Sequence, residues 1–244
     1  MNRWKTAFSV IVLAALGGTA IADPVQVGTI DVTRLAGYYS GLGGEFTIYN
    51  SGLSVAAYAA STSGKKTPGN SFQSFCLEWN ELIMPPFTNI TTEMDTAAIQ
   101  GGLAGGTPDP LDPMTAYLYT QFATGALSSY TYTPGMGRAM DAGQLQKAIW
   151  YIEEEIGLTW VGGVLTQTVS PTDALGAGSK ALTWYNEASA ANWTDIGSVR
   201  VLNPYHSSVR EDFQSQLYLV PVPGAVLLGF LGLGYAGMKL RKLA

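Results

Sequence analysis

The sequence predicts an α+β fold: a β-sandwich or barrel-like body with a helical insertion, carried between an N-terminal signal peptide and a single C-terminal hydrophobic helix. Three observations predict it. Strand-like alternation occupies 25–59 and returns at 198–220. Helical spacing with recognisable caps fills the middle, about 111–190. The composition, with 29 Gly, 13 Tyr, six Trp and only 13% charged residues, suits a β-rich secreted domain.

Taken in order, Val25–Val32 and Glu45–Tyr49 alternate as half-buried strands do, and Ser61–Asn70 is a polar turn. Ser71–Trp79 reads as a third strand in which Phe72 and Phe75 change parity, a sign of a bulge before Cys76. Gly101–Pro110 is a Gly- and Pro-rich loop. Asp112 then suits an N-cap and Pro113 a first helical position, with Met114, Tyr117 and Leu118 at helical spacing and Gly125 as the stop. The longest helix is expected from Ala139 to Ile156, with Leu145, Ala148, Ile149, Ile152 and Ile156 on one stripe and Gly157 as its cap. A further helix is expected from Pro171 or Thr172 to Ala188. Strands return at Ser198–Leu202 and Gln214–Val220, separated by a turn at Asn203–Ser207.

The two ends read as export signals. Arg3 and Lys5 precede an apolar run from Ala7 to Leu16, and Ala20-Ile21-Ala22 offers a small-x-small cleavage site before Asp23. From Val220 to Leu240 the only charge is Lys239, and about 21 residues at about 1.5 Å each reach the thickness of a hydrocarbon core. Lys239, Arg241 and Lys242 make a basic flank that stays on the cytoplasmic side. Three segments follow: a signal peptide over 1–22, an extracytoplasmic domain over 23–219, and a tail over 220–244 anchored in the inner membrane.

Net charge is −5, and no basic patch lies between Lys66 and Arg138, which argues against nucleic acid as a partner. His206, the only histidine, has no Gly-x-Ser-x-Gly elbow to serve and is expected on an exposed turn. Asp109 and Asp112 are a weak calcium signal, and neither a metal nor an organic cofactor is implied. Glu153-Glu154-Glu155, on the last turn of the long helix, reads as a solvated face, with Glu153 on the side of Gln146 and Trp150. The lone Cys76 stands out, because an exported domain with one cysteine forms no internal disulfide.

Around that cysteine the chain reads Ser74-Phe-Cys-Leu-Glu78, and 70 residues later Leu145-Gln-Lys-Ala-Ile-Trp150. These segments resemble the paired motifs of thioester domains in bacterial surface proteins, an aromatic-Cys strand followed by Thr-Gln-x-Ala. Leu145 departs from the usual Thr. The resemblance implies that Cys76 and Gln146 lose ammonia to form an internal thioester, which an amine or hydroxyl of a surface or matrix partner then opens. Such an electrophile has to be shielded from water, which the aromatic neighbours Phe75, Trp79 and Trp150 can provide, and Glu153, seven residues after Gln146 on the same helix face, is a candidate for proton transfer.

The tail carries a second resemblance. Val220-Pro221-Val222-Pro223-Gly224-Ala225, the apolar run and the basic end resemble a PEP-CTERM sorting signal of Gram-negative bacteria, with Val222 in place of the usual Glu. That implies an exosortase-like processing enzyme as a partner and delivery to the envelope or extracellular matrix. Covalent attachment, without enzymatic activity, is the function expected. The alternative is non-covalent binding of an exopolysaccharide or matrix component, with Trp184, Tyr185 and Trp193 as stacking platforms.

Overall fold

A computed structural model describes residues 24–221 apart from 42, 50–51, 54–70, 82–84, 105 and 207–210. The signal-peptide segment and most of the tail, including Pro223, Gly224, Lys239, Arg241 and Lys242, lie outside the described residues. Among those described, no helix is long and apolar enough to cross a membrane.

The apolar alternation of β1 (Val25–Arg34) buries Ile30 and Val32 completely and pairs the strand antiparallel with β2 (Phe46–Tyr49) on one side and β4 (Phe87–Asp95) on the other. β3 (Ser71–Ser74) continues from β2, and β9 (Val199–His206) from β4. β10 (Glu211–Asp212) and β11 (Gln216–Leu219) both return along β9. The last junction nearly closes the sheet into a barrel. Beyond β3 the chain pairs Cys76 with Gln216, flanked by bonds from Leu77 N–H to Ser215 O and from Leu217 N–H to Phe75 O, each 3.1 Å. The irregularity expected before Cys76 is this change of partner: Ser74 still faces β2, while Cys76 faces β11. Two short pairs, β5 (Ala97–Ala98) with β6 (Asp109–Pro110) and β7 (Leu158–Val161) with β8 (Val164–Gln167), stand apart from the main sheet.

Four helices fill the stretch between β6 and β9. α1 (Pro113–Ala123) starts as its sequence predicts: the Asp112 carboxylate accepts from Met114 N–H at 2.6 Å. It stops at Gly125, whose φ of 77° allows bonds from Gly125 N–H to Phe122 O and from Ala126 N–H to Gln121 O. α1 is clamped to the barrel by Tyr119 Oη, which donates to Gln73 O at 2.8 Å, and by Phe122, edge-on to Phe75 at 5.0 Å. α2 (Met136–Ile152) and α4 (Lys180–Ala191) run the same way, since Lys180 bonds Asp141 and the Tyr185 ring meets Tyr151.

Several expectations need correction. The third helix is broken into α3 (Pro171–Leu175) and α4 by Gly176-Ala177-Gly178, and Ser179 recaps the chain by accepting from Leu182 N–H. His206 ends a strand rather than sitting in a turn, because Asn203, Pro204 and Tyr205 pair with Glu93, Thr92 and Thr91. β4 carries no clear alternation and escapes the sequence reading. α2 begins three residues early and ends four residues early. Glu153 and Glu155 are buried, not solvated. Their carboxylates accept backbone N–H groups from other segments, and holding them there turns the chain out of the helix before Gly157 is reached.

The turn that ends α2 has Glu155 N–H on Trp150 O and Glu154 N–H on Tyr151 O, which puts Glu154 in the position usually held by glycine. Its φ is 58°, its side chain is exposed, and a Cβ in that conformation costs about 1 kcal/mol. Glu154→Gly should therefore raise the midpoint of thermal unfolding by about 2–4 °C for a domain of this size. Circular dichroism melts of the two proteins side by side would check it.

Candidate functional site: the Cys76–Gln146 pair

An antiparallel strand alternates between residues whose own N–H and C=O face one neighbour and residues whose groups face the other. Because the bonds to β11 come from Phe75 and Leu77, the N–H and C=O of Cys76 point to the opposite side, past the end of β3's pairing with β2. No strand takes them. Two buried backbone groups left this way require another partner.

Gln146 supplies it. Its position on α2 lies on the inward stripe with Ala142, Leu145, Ile149 and Trp150, and its side chain is fully buried. The carboxamide fits Cys76 at both ends: Cys76 N–H donates to Gln146 Oε1 at 3.2 Å, and Gln146 Nε2 donates to Cys76 O at 2.7 Å. Exchanging the amide's oxygen and nitrogen would set donor against donor and acceptor against acceptor, so the network defines which is which. The Cys76 thiol completes the contact, with Sγ donating to Oε1 at 3.3 Å. The pair expected from the sequence is thus brought together, and the clamp holds the carbonyl beside the sulfur.

Burial pushes the Cys76 thiol well above its usual range, and the neighbouring Glu78 charge adds to the rise, while a backbone hydrogen bond from Gly44 partly offsets both. The sulfur therefore rests as a neutral thiol.

Gly43 and Gly44 form the roof. A Cβ on Gly43 would stand 2.9 Å from Gln146 Cγ and 3.2 Å from Oε1, and one on Gly44 would stand 2.3 Å from the Phe75 ring. Both carry positive φ, so only glycine fits on steric and conformational grounds together. The next residue, Glu45, fixes the roof from below. It is fully buried and receives Arg138 Nε and Nη2 at 2.7 Å each and Tyr130 Oη at 2.6 Å. Arg138 also stacks on the Tyr38 ring and donates to Tyr132 O. Truncating either member of this ion pair would leave a buried charge uncompensated. Sequence reading missed both parts; Gly43-Gly44-Glu45 ahead of a strand was the available signal for the roof, while nothing in the spacing links Glu45 to Arg138.

The remaining expected residues fall around this centre. Phe75 is buried beneath Gly44. Trp150 is buried one turn after Gln146, and the Trp79 ring, itself 47% exposed, meets it edge-on at 4.6 Å and forms the outer wall. Glu153 points elsewhere, accepting from Asp112 N–H at 3.3 Å at the start of α1, and shares no hydrogen bond with Cys76 or Gln146. Glu155 accepts from Trp79 N–H at 2.7 Å and Leu103 N–H at 2.8 Å, tying the end of α2 to the chain just beyond Cys76. Of the expected stacking platforms, Trp184 is fully buried with Nε1 bonded to Ser128 O, and the half-buried Tyr185 and Trp193 rings are packed on Tyr151 and Tyr117.

Burial raises the Glu153 carboxyl to about 8, with Asp112 and Asp109 adding to it, and raises Asp109 itself to about 6. A carboxyl whose pKa is higher folded than unfolded holds a proton that the unfolded chain gives up. Its stabilising effect is complete below the unfolded value and fades as pH climbs through the folded one. Melting temperature should accordingly fall between about pH 5 and pH 8. Glu153→Gln keeps the acceptor for Asp112 N–H, so melts across that range should show a shallower decline; a decline as steep as the parent's would assign it to other groups. Compared with protein-family models, characterised proteins and solved structures, the chain matches none, so its function has to be read from the geometry of this pair.

Proposed function

We propose that Cys76 and Gln146 condense to an internal thioester and that the protein is an exported envelope or matrix protein which uses that bond for covalent attachment. The observation that carries this reading is the two-ended clamp of the Gln146 carboxamide on Cys76, with Sγ 3.3 Å from Oε1. In the condensing step Sγ bonds to Gln146 Cδ, the thiol proton passes by way of Oε1 to the amide nitrogen, and the C–N bond breaks to release ammonia. Cys76 N–H, already on Oε1, stabilises that oxygen as charge develops.

Attack by a partner reverses the roles. An amine or hydroxyl bonds to Cδ, the C–S bond breaks, and the thiol of Cys76 is regenerated while Gln146 becomes the point of attachment. The sulfur is a far better leaving group than an amide nitrogen, and the roof of Gly43 and Gly44 with the Trp150 and Trp79 wall keeps water from the acyl carbon until a partner displaces them. Export through residues 1–22 and sorting by an exosortase-like enzyme through Val220, Pro221, Pro223 and Gly224 belong to the same reading, which places the site outside the inner membrane, facing surface amines, hydroxyls or exopolysaccharide.

Intact mass of the purified protein, beside Cys76→Ala and each with and without methylamine, tests it. The parent is expected to be lighter than its sequence by one ammonia, and methylamine should add at Gln146 and restore a free thiol; Cys76→Ala should show neither change. A parent mass equal to the sequence, with Cys76 alkylated only after unfolding, would end the covalent reading.

A further inference from the structure

The hairpin of β7 and β8 takes no part in the site and carries three of the seven exposed large hydrophobics among the described residues. Trp160, Val161 and Val164 are 72%, 53% and 65% exposed. Trp160 pairs with Leu165 and Val161 with Val164, around a turn of Gly162 and Gly163 whose φ values are both positive. Successive strand residues face opposite sides, so Trp160 projects from one face of the hairpin and Val161 and Val164 from the other. Both faces of the tip are therefore apolar and open. No charged residue occurs from Ile156 to Thr172. A groove on a protein covers one face of a hairpin; a bilayer surrounds both faces of a tip that enters it.

The hairpin is linked by packing contacts to the strand that leads into the apolar tail. It springs from the C-terminal end of α2, which meets the start of α1 through Asp112 N–H on Glu153. Tyr117, one turn into α1, packs its ring on Trp193 at 5.4 Å, just past the end of α4. Five residues after Trp193, Ser198 O accepts from Val220 N–H at 2.9 Å, at the exit of β11. These contacts connect the base of the hairpin, through the start of α1 and the end of α4, to the strand from which the 220–240 run departs.

We propose that the Trp160–Val164 tip inserts into the interface of a lipid bilayer, giving the domain a second membrane contact beside the apolar run that begins at Val220. The proposal rests on the reading of residues 220–240 as a membrane segment and is independent of the thioester. Tryptophan favours the level of the lipid headgroups, and the valines extend the apolar surface on the opposite face. Glu154 and Asp173, exposed on either side of the charge-free stretch, oppose anionic lipid, so the tip fits a net-neutral surface.

The test uses the full chain in phosphatidylcholine liposomes, with a nitroxide at Val164→Cys in a Cys76→Ala background and a control nitroxide at Thr183→Cys, on the exposed side of α4. Oxygen concentrates in the bilayer and a nickel chelate stays in water. The Val164 label should collide several-fold more with oxygen relative to nickel than the control label does, and Trp160→Glu should abolish that preference. Equal ratios at the two positions, in liposomes that float with the protein, would overturn the proposal. So would spin–spin broadening at Val164 without oxygen preference, which would identify a second copy of the chain as the occupant. Protein that fails to float with the liposomes would remove the membrane segment, and the proposal with it.

Discussion

Everything at the candidate site depends on two backbone groups that the sheet does not use. The barrel closes through Phe75 and Leu77, and closing there turns the N–H and C=O of Cys76 toward the helices. A water molecule or a loop satisfies such groups in most proteins. Here a helix brings in one side chain with a donor and an acceptor in the spacing of a peptide. The resulting clamp serves two ends: it completes the hydrogen bonding of the core, and it holds a carboxamide against a thiol. A glutamine is the side chain that does both with a reach long enough to cross from α2, and glutamate would set a second acceptor against Cys76 O.

The same substitution of side chains for strands continues beyond Cys76. Glu78 accepts from Ser215 N–H at 3.1 Å, and Glu155 accepts from Trp79 N–H. Backbone groups of residues 76–79 are thus held by the Gln146 and Gln214 carboxamides and the Glu155 carboxylate. The cost falls on the carboxylates, because Glu78, Glu81, Glu153 and Glu155 are gathered without a neighbouring lysine or arginine bonded to them among the described residues. Burial raises all four; the Glu81 and Glu155 charges raise Glu78 further, and Asp212 and Glu155 raise Glu81, where a hydrogen bond with Glu78 partly offsets the rise. Glu45, like Asp141 with Lys180, does receive a cation. It alone sits directly under the glycine roof, where a shift of the backbone would open the site.

How much of this was legible follows from where each signal resides. α1 could be read because a cap, a proline and a closing glycine are local features of sequence. The Cys76–Gln146 pair could be read because two short motifs occur together around a lone cysteine. The end of α2 could not. Glu153 and Glu155 are helix-compatible residues, and what draws them out is a set of backbone donors at Asp112, Trp79 and Leu103, far away in sequence. β4 and the extension of β9 were missed for a related reason: β4 has β-branched residues but no apolar alternation, Pro204 is a poor strand residue, and both stretches are placed by the pairing of β4 with β1 and with β9. Tertiary pairing overrode local preference at each of these positions.

The burial that makes the pair a candidate also sets how it can react. Shielding protects an acyl–sulfur bond from water, but the same low-polarity surroundings disfavour the thiolate, the usual nucleophile of cysteine chemistry. A route through a free thiolate would therefore work against the site's own environment. The Sγ–H bond to Oε1 suggests the neutral course instead: sulfur approaches the carbon while its proton moves to the oxygen, so no net charge is created in the core. After condensation the thiol proton has left with ammonia, and the lost amide bond to Cys76 O leaves that carbonyl without its partner. The proposed thioester would thus be protected on the acyl side and destabilised on the strand side. Attack by an amine would restore an N–H donor at the position Nε2 once held, giving Cys76 O its partner again and favouring amines over hydroxyls as the nucleophile.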